Sequence, residues 1–525
     1  MFSNRVWALL PDFHFWGFRP RLEQLHLSSF QRFISNISWN VLGKVCVQIL
    51  LFGVSVLLAR YLGKEKLGIY ATLLVVPTFV RLLNQFGLET LINKKIPELN
   101  VLDPSGKQAR YLIQRLLAIR LGTSLLFSIV LYVGLPHYMA FMGTPELVEY
   151  RLVLIFYFLI ICINSLLSTL FMTQLRYRVV SITETSCALL NLVFLAGFIL
   201  QDWGIKGVLY AYVISTFINI LIYMLLMGSN LQGKTETPDL KELPSLAWAS
   251  YMLTIFSFGL ITQSDVMLMS YFQVTQERIG FYHLATGLGG MLVFVMMGVG
   301  PMAFSILSES YTRNSVDGMS KVWCQIVGFA SFLTVPIFVF AFFNAESLIQ
   351  FVYGEQFKEA GGALAFYIIF LGIATILGAD FVTSTLFILE RRDTVIWSNV
   401  EGSFLNICLN LILIPLYEEI GALVATGTSM IYMVLRQLYI IQKQMDTTPI
   451  LPVLGKCLLF SFLAVVPAQL AVVIIWKNIF FSGLVFLSAF IILLAILKPF
   501  SREQLEVLEG IHPELPFWLR SFAKV

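Results

Sequence analysis

The chain is written as a series of apolar runs long enough to cross a bilayer, and that property excludes most folds. Runs of spanning length occupy 38–59, 69–92, 112–135, 150–173, 179–200, 205–228, 246–272, 279–306, 322–344, 362–389, 394–416, 421–442, 450–475 and 479–498. A hydrocarbon core about 30 Å thick takes about 20 residues of helix, and an unpaired backbone amide finds no partner in lipid, so only helices or closed barrels cross it. Barrel strands would alternate over about ten residues, whereas these runs are continuous. The expected fold is an all-α polytopic membrane protein of about 14 transmembrane helices. With 58% apolar and 13% charged residues, the composition lies far from the about 45–50% and about 25% of soluble domains.

The longest link between runs, 93–111, leaves no room for a soluble catalytic domain. Counting the termini with the even-numbered loops gathers most of the lysine and arginine on one side. The odd loops hold only Arg60, Lys64, Lys66, Arg151, Lys206, Arg278, Lys358 and Lys477. Cytoplasmic loops carry the positive excess, so both termini are expected in the cytoplasm. Residues 1–32 lack a basic, apolar and small-residue leader pattern, so the first span is expected to anchor the chain. The six cysteines sit inside apolar runs with no C-x-x-C spacing, which points away from a disulfide framework or a metal site.

One junction is written twice. Glu65-Lys66-Leu67-Gly68-Ile69-Tyr70 is echoed 212 residues later by Glu277-Arg278-Ile279-Gly280-Phe281-Tyr282. A weaker echo pairs Asn191-Leu192 with Asn410-Leu411 and Gly207 with Gly421, at offsets of 219 and 214. These argue for duplication of a six-helix unit. Six spans return the chain to its starting side, so the two lobes run in the same sense about an axis along the membrane normal. The expected division is a cytoplasmic segment 1–37, an N-lobe 38–228, a cytoplasmic linker 229–245, a C-lobe 246–442, helices 13 and 14 over 443–498, and a cytoplasmic tail 499–525. The seam between the lobes is the expected place for a transported solute.

A charge at a helix centre costs about 2.5–3.5 kcal/mol on insertion scales, so each one within a span asks for a reason. The second span carries Arg81, Gln85 and Glu89 at i, i+4 and i+8, and the first carries Asn40, Lys44 and Gln48 at the same spacing, which gives each helix one polar stripe. Arg115 and Arg120 in the third span lie about 140° apart around their helix, so only one can face a common cavity. Lys44, Arg115 and Arg120 also read as side chains that snorkel to the surface. Acidic residues within spans include Glu89, Glu184, Asp265 and Asp380. Arg81 reads as cavity-facing or as the partner of Glu89 or of a neighbouring helix, and Asp265 as the partner of an arginine or the site of a coupling proton or sodium, with Asp380 read similarly. A basic N-half cavity would favour an anion, since guanidinium groups hold phosphate oxygens bidentately and keep their charge.

Several stretches resemble a known family. Leu58-Ala59-Arg60-Tyr61-Leu62-Gly63 with Leu67-Gly68-Ile69-Tyr70 is similar to the first-loop signature of the polysaccharide transporter family, the Wzx-type oligosaccharide-lipid flippases. Their superfamily also holds lipid II flippases and multidrug exporters. Asp265 ahead of Ile279-Gly280-Phe281-Tyr282, Tyr353 to Phe357 with Ala360, and Asn410-Leu411 to Pro415 with Gly421-Ala422 extend the likeness over roughly 36–445. The resemblance implies transport of a polyprenyl-diphosphate-linked glycan from the cytoplasmic to the periplasmic leaflet of a bacterial inner membrane by rocking of two lobes. It assigns the cavity to Arg81, with Gln85, Lys44, Gln48 and Arg120, and a partner or gate role to Glu89, Asp265 and Asp380. Arg60 and Arg278 would lie in outer loops.

No catalytic residue, cofactor, metal site or nucleic-acid surface is expected, and no P-loop is present. The implied partners are the lipid-linked oligosaccharide, the bilayer, a coupling ion (proton or sodium), and the glycosyltransferases and polymerase of the same pathway. The rivals are a cation-coupled multidrug exporter, which calls for acidic cavity residues, and a glycan polymerase or ligase, which calls for a large outer loop. At the ends, Phe13 to Arg21 reads as an interfacial aromatic and basic segment, and 501–511 as a short amphipathic helix.

Overall fold

A computed structural model of the protein describes residues 29–103, 105–174, 176–227, 235–237, 243–256, 258–474 and 478–497. The expected interfacial segment at Phe13 to Arg21, most of the linker, the helix at 501–511 and the side chains of Asn40 and Asp380 lie outside the described residues. Among the described residues every regular element is helical. In order these are α1 (Ser29–Leu83), α2 (Leu88–Leu102), α3 (Lys107–Phe141), α4 (Arg151–Thr173), α5 (Tyr177–Leu200), α6 (Gly204–Met227), α7 (Leu243–Ile255) and α8 (Phe258–Tyr271). There follow α9 (Gln276–Phe343), α10 (Ala345–Tyr353), α11 (Ala360–Ile376), α12 (Ala379–Ile388), α13 (Arg392–Gln442), α14 (Leu451–Ile474) and α15 (Ile479–Leu497). Ten helical stretches among the described residues are long and apolar enough to cross a membrane.

The helices do not coincide one for one with the apolar runs. The first two runs fall in α1, which kinks at Gly63 (φ 74°), and the eleventh and twelfth fall in α13, which kinks at Glu418 (φ 50°). The expected second span ends early, because α1 stops at Leu83 and the chain resumes as α2 after Phe86 (φ 47°) and Gly87 (φ 67°). Gly87 must be glycine twice over, since its backbone is left-handed and an added Cβ would strike the Ala247 carbonyl. The expected seventh span is likewise divided between α7 and α8.

The chain forms two compact units, residues 1–62 with 72–255, and residues 63–71 with 256–525. The exchange of a short stretch explains the twice-written junction. Residues 63–71 come from the first repeat but pack in the second unit, where a methyl group on Gly68 would overlap the Gln276 carbonyl and one on Gly280 would lie 2.8 Å from the Lys64 carbonyl oxygen. The two echoed glycines therefore allow two helix starts to touch backbone to backbone. Lys64 adds an ion pair to Glu277 at 2.8 Å, and Tyr70 sets its ring edge-on to His283 at 6.0 Å.

The first unit is packed around Leu91, Ile92, Leu112, Leu166, Phe171 and Tyr223, contributed by α2 to α6. In the second unit α14 and α15 pack on α9 through Phe332, Val335, Phe460, Ala464, Phe486 and Phe490. The opposite face of α15 leaves Leu484, Leu487, Ile491 and Ile496 exposed, as expected of a helix whose solvent is lipid.

Candidate functional site

Among the described residues the first unit buries Arg120, and the second buries the carboxyl groups of Asp265 and Glu419; Arg120 and Asp265 are held in different ways. In the first unit the centre is the break between α1 and α2. Helix α1 ends with carbonyls that have no partner within the helix, a cost that lipid does not relieve. The Tyr251 hydroxyl on α7 donates to the Leu83 carbonyl at 2.8 Å. Arg120 on α3 donates from Nη1 to the Asn84 carbonyl and from Nη2 to the Gln85 carbonyl at 3.4 Å. The same Nη2 reaches Glu89 Oε1, in the first turn of α2, at 2.6 Å, and Ser165 Oγ donates to that oxygen from α4 at 3.2 Å. Asn84 Nδ2 donates to Ser124 Oγ at 2.9 Å. Arg120, only 1% exposed, thus caps one helix and pairs with the start of the next.

The expected stripe of Arg81, Gln85 and Glu89 is therefore interrupted. Gln85 lies in the break, half-buried, and Glu89 turns to Arg120 rather than to Arg81. Arg81 occupies the last turn of α1, where a cation suits the helix dipole. It is half-buried, close enough to Tyr157 on α4 for its charge to act on that phenol, and among the described residues it has neither an ion pair nor a side-chain hydrogen bond. Tyr157 meets Tyr212 of α6 edge-on at 6.3 Å. Lys44 is exposed and Gln48 half-buried on α1. Arg115 is exposed where Arg120 is buried, as their angular separation requires.

In the second unit the centre is Asp265 on α8, with no surface exposed. Its Oδ2 accepts from the Tyr282 hydroxyl on α9 at 2.7 Å and from the Thr426 hydroxyl on α13. Its Oδ1 accepts from Asn410 Nδ2 at 2.6 Å and Asn406 Nδ2 at 3.3 Å, both on α13. No arginine or lysine pairs with it among the described residues, so the carboxyl group rests on neutral donors alone. Asn410 Oδ1 is buried without a partner in the same cluster. Reasoning from sequence missed Tyr282, Asn406 and Thr426 as members of this centre; the signal was the i, i+4 asparagine pair inside an apolar run.

Arg278, at the start of α9, pairs with the buried Glu419 at 2.8 Å and with Glu418 at 3.4 Å, clasping the strained kink of α13. Arg60 is exposed on α1. Among the described residues no group of His, Cys, Asp and Glu side chains is placed to hold a metal ion.

The family profile of polysaccharide biosynthesis proteins matches residues 57–361, more than half of the chain, and the chain belongs to that family. It is 25% identical over 223 residues to a probable low-salt glycan biosynthesis flippase, Agl15 of Haloferax volcanii; the match takes in 40% of this chain and 46% of that protein, so it spans about half of the relative's length. Among solved structures, the lipid II flippase MurJ in an inward closed conformation matches with a TM-score of 0.70 at 16% identity, over 87% of this chain and 98% of that one. An inward-facing multidrug resistance transporter of the MATE family of the MOP superfamily matches with a TM-score of 0.64 at 14% identity, over 76% and 94%. At these identities the likeness shows the fold alone, that of a multi-pass helical membrane protein.

Proposed function

We propose that the chain is a flippase that carries a polyprenyl-diphosphate-linked oligosaccharide from the cytoplasmic to the periplasmic leaflet of the inner membrane, by alternating access, for the synthesis of a cell-surface polysaccharide. O-antigen, capsule and exopolysaccharide are all passengers of this chemical type. Both termini face the cytoplasm, and glycosyltransferases and a polymerase act before and after it.

Arg81 carries the reading. A guanidinium group in a membrane helix is expensive unless it is paired, solvated or met by an anion. Arg120 is paired; Arg81 is not. A diphosphate offers the bidentate acceptor that an unpartnered guanidinium lacks, and a charged diphosphate with a hydrated glycan cannot cross hydrocarbon unaided. Lys44, Gln48 and Gln85 would extend the polar route, while an organic cation would be repelled from it, which counts against a drug exporter. The test is the Arg81→Ala variant at wild-type abundance in cells. It should strand lipid-linked glycan on the cytoplasmic leaflet, and normal export would remove Arg81 from the mechanism.

The Asp265 cluster supports a role in coupling. Four neutral side chains converge on the buried Asp265 carboxyl group, and Asn410 Oδ1, without a partner among the described residues, is an acceptor awaiting a donor or a cation. A proton or a sodium ion would satisfy both. An ion bound only by the folded state stabilises it by about 2.7 kcal/mol at a hundred times its dissociation constant. Thermal unfolding of the wild type should therefore respond to sodium or to pH, and the Asp265→Asn variant should lose that response. An unchanged response in the variant would place the coupling ion elsewhere.

A further inference from the structure

The first unit holds another carboxyl group that neither centre uses. Glu184, two turns into α5, accepts one hydrogen bond, from Ser168 Oγ on α4 at 2.6 Å, and forms no ion pair among the described residues. Asp265 has four donors; Glu184 has one. The charged groups facing it are few. Lys44 acts on it from α1, whose approach is set by Gly43, since a methyl group there would strike Ser181, one turn before Glu184 on α5. Tyr223 faces it from α6, and Cys187 lies one turn along its own helix.

From Glu184 a column of polar atoms runs inward along α5 and α6. The Tyr223 hydroxyl, fully buried, forms no hydrogen bond of good geometry among the described residues, although the Ser168 hydroxyl lies beside it. Further along, Asn191 Oδ1 and Asn219 Oδ1 are also buried without partners, in residues 4% and 2% exposed, while Asn219 Nδ2 donates to Asn164 Oδ1 on α4 at 3.0 Å. The spacings 184, 187, 191 on α5 and 215, 219, 223 on α6 place these residues along one face of each helix. An unpartnered buried polar group costs about 1–3 kcal/mol, and three in one column call for water, which takes two to four such partners.

We infer that Glu184 is a proton-binding site that exchanges with the Lys44 end of the first unit and is served by water along Tyr223, Cys187, Asn191 and Asn219. The step is a simple transfer. A Glu184 carboxylate oxygen takes a proton from hydronium, one O–H bond forming as another breaks, and water is released. The neutral carboxyl keeps the bond from Ser168 and gains a donor of its own for water. The charged form keeps Ser168 and the field of Lys44. Both forms are accommodated, which is what a titrating site requires. This inference does not depend on the identity of the passenger.

Infrared difference spectroscopy on the full chain in lipid, titrated across the range where buried carboxyl groups ionise, tests it. A protonated-carboxyl band that shifts in heavy water should be present in the wild type, disappear in Glu184→Gln and persist in Asp265→Asn. Should Glu184→Gln fail to fold, Glu184→Asp should retain the band at a displaced frequency. A band unchanged in either Glu184 variant, or a wild type with no band beyond that lost in Asp265→Asn, would overturn the proposal.

Discussion

The two halves of the molecule bury opposite charges by different means. In the first, Arg120 is enclosed by a carboxylate and two backbone carbonyls, so its charge is spent on holding a helix break together. In the second, Asp265 is enclosed by amides and hydroxyls and keeps its acceptor character. The repeat offset of 212 sets Gly53 where Asp265 stands, and the offset of 219 pairs Asn191 with Asn410, two asparagines that both leave Oδ1 unpartnered. The glycines that let helices touch and the buried asparagines recur in both repeats, whereas the charges do not. Among the described residues, one half thus presents Arg81 without an ion pair and the other presents Asp265 without a cation.

The sharpest way to break this contrast is Arg120→Ala, which leaves Glu89 without its cation and the end of α1 uncapped. Breaking a buried pair costs about 3–5 kcal/mol, so a large fall in the thermal midpoint is expected, with Arg120→Lys recovering only part of it. A midpoint close to wild type would mean that the break is held without the pair. Next in size is Gly68→Ala, where a methyl group meets the Gln276 backbone; overpacking of this kind costs about 1–3 kcal/mol, and Gly280→Ala should act in the same direction. Tolerance of both by melting would show that the echoed junction is not a close contact. Smallest is Lys64→Ala, whose pair with Glu277 is partly exposed and contributes about 0.2–1 kcal/mol, more at low salt than at high salt.

Most of the architecture was legible because run length and hydropathy answer directly to bilayer thickness. The contact between the two echoed stretches was legible because Gly68 and Gly280 each sit where a methyl group would meet backbone. What sequence could not supply was the break at Asn84 to Gly87. No proline marks it, and a stripe at i, i+4 and i+8 presumes a continuous helix, so Arg81, Gln85 and Glu89 read as one face although the backbone separates them. The same presumption left Arg120 undecided between cavity and surface, when its partners are carbonyls that exist only because α1 ends. The acidic centre was half legible: Asp265 stood out as a charge in an apolar run, but its neutral partners come from α9 and α13, too far along the chain for spacing to reveal.

Vesicles reconstituted with the protein and a labelled polyprenyl-diphosphate oligosaccharide would measure the central claim directly, by the rate at which the label becomes reachable from the opposite leaflet. Arg81→Ala should slow that rate at least tenfold, the loss of about 1.4 kcal/mol of anion binding, while melting like the wild type. Unaltered transfer by a folded Arg81→Ala protein, or faster transfer of an organic cation than of the diphosphate by the wild type, would contradict it.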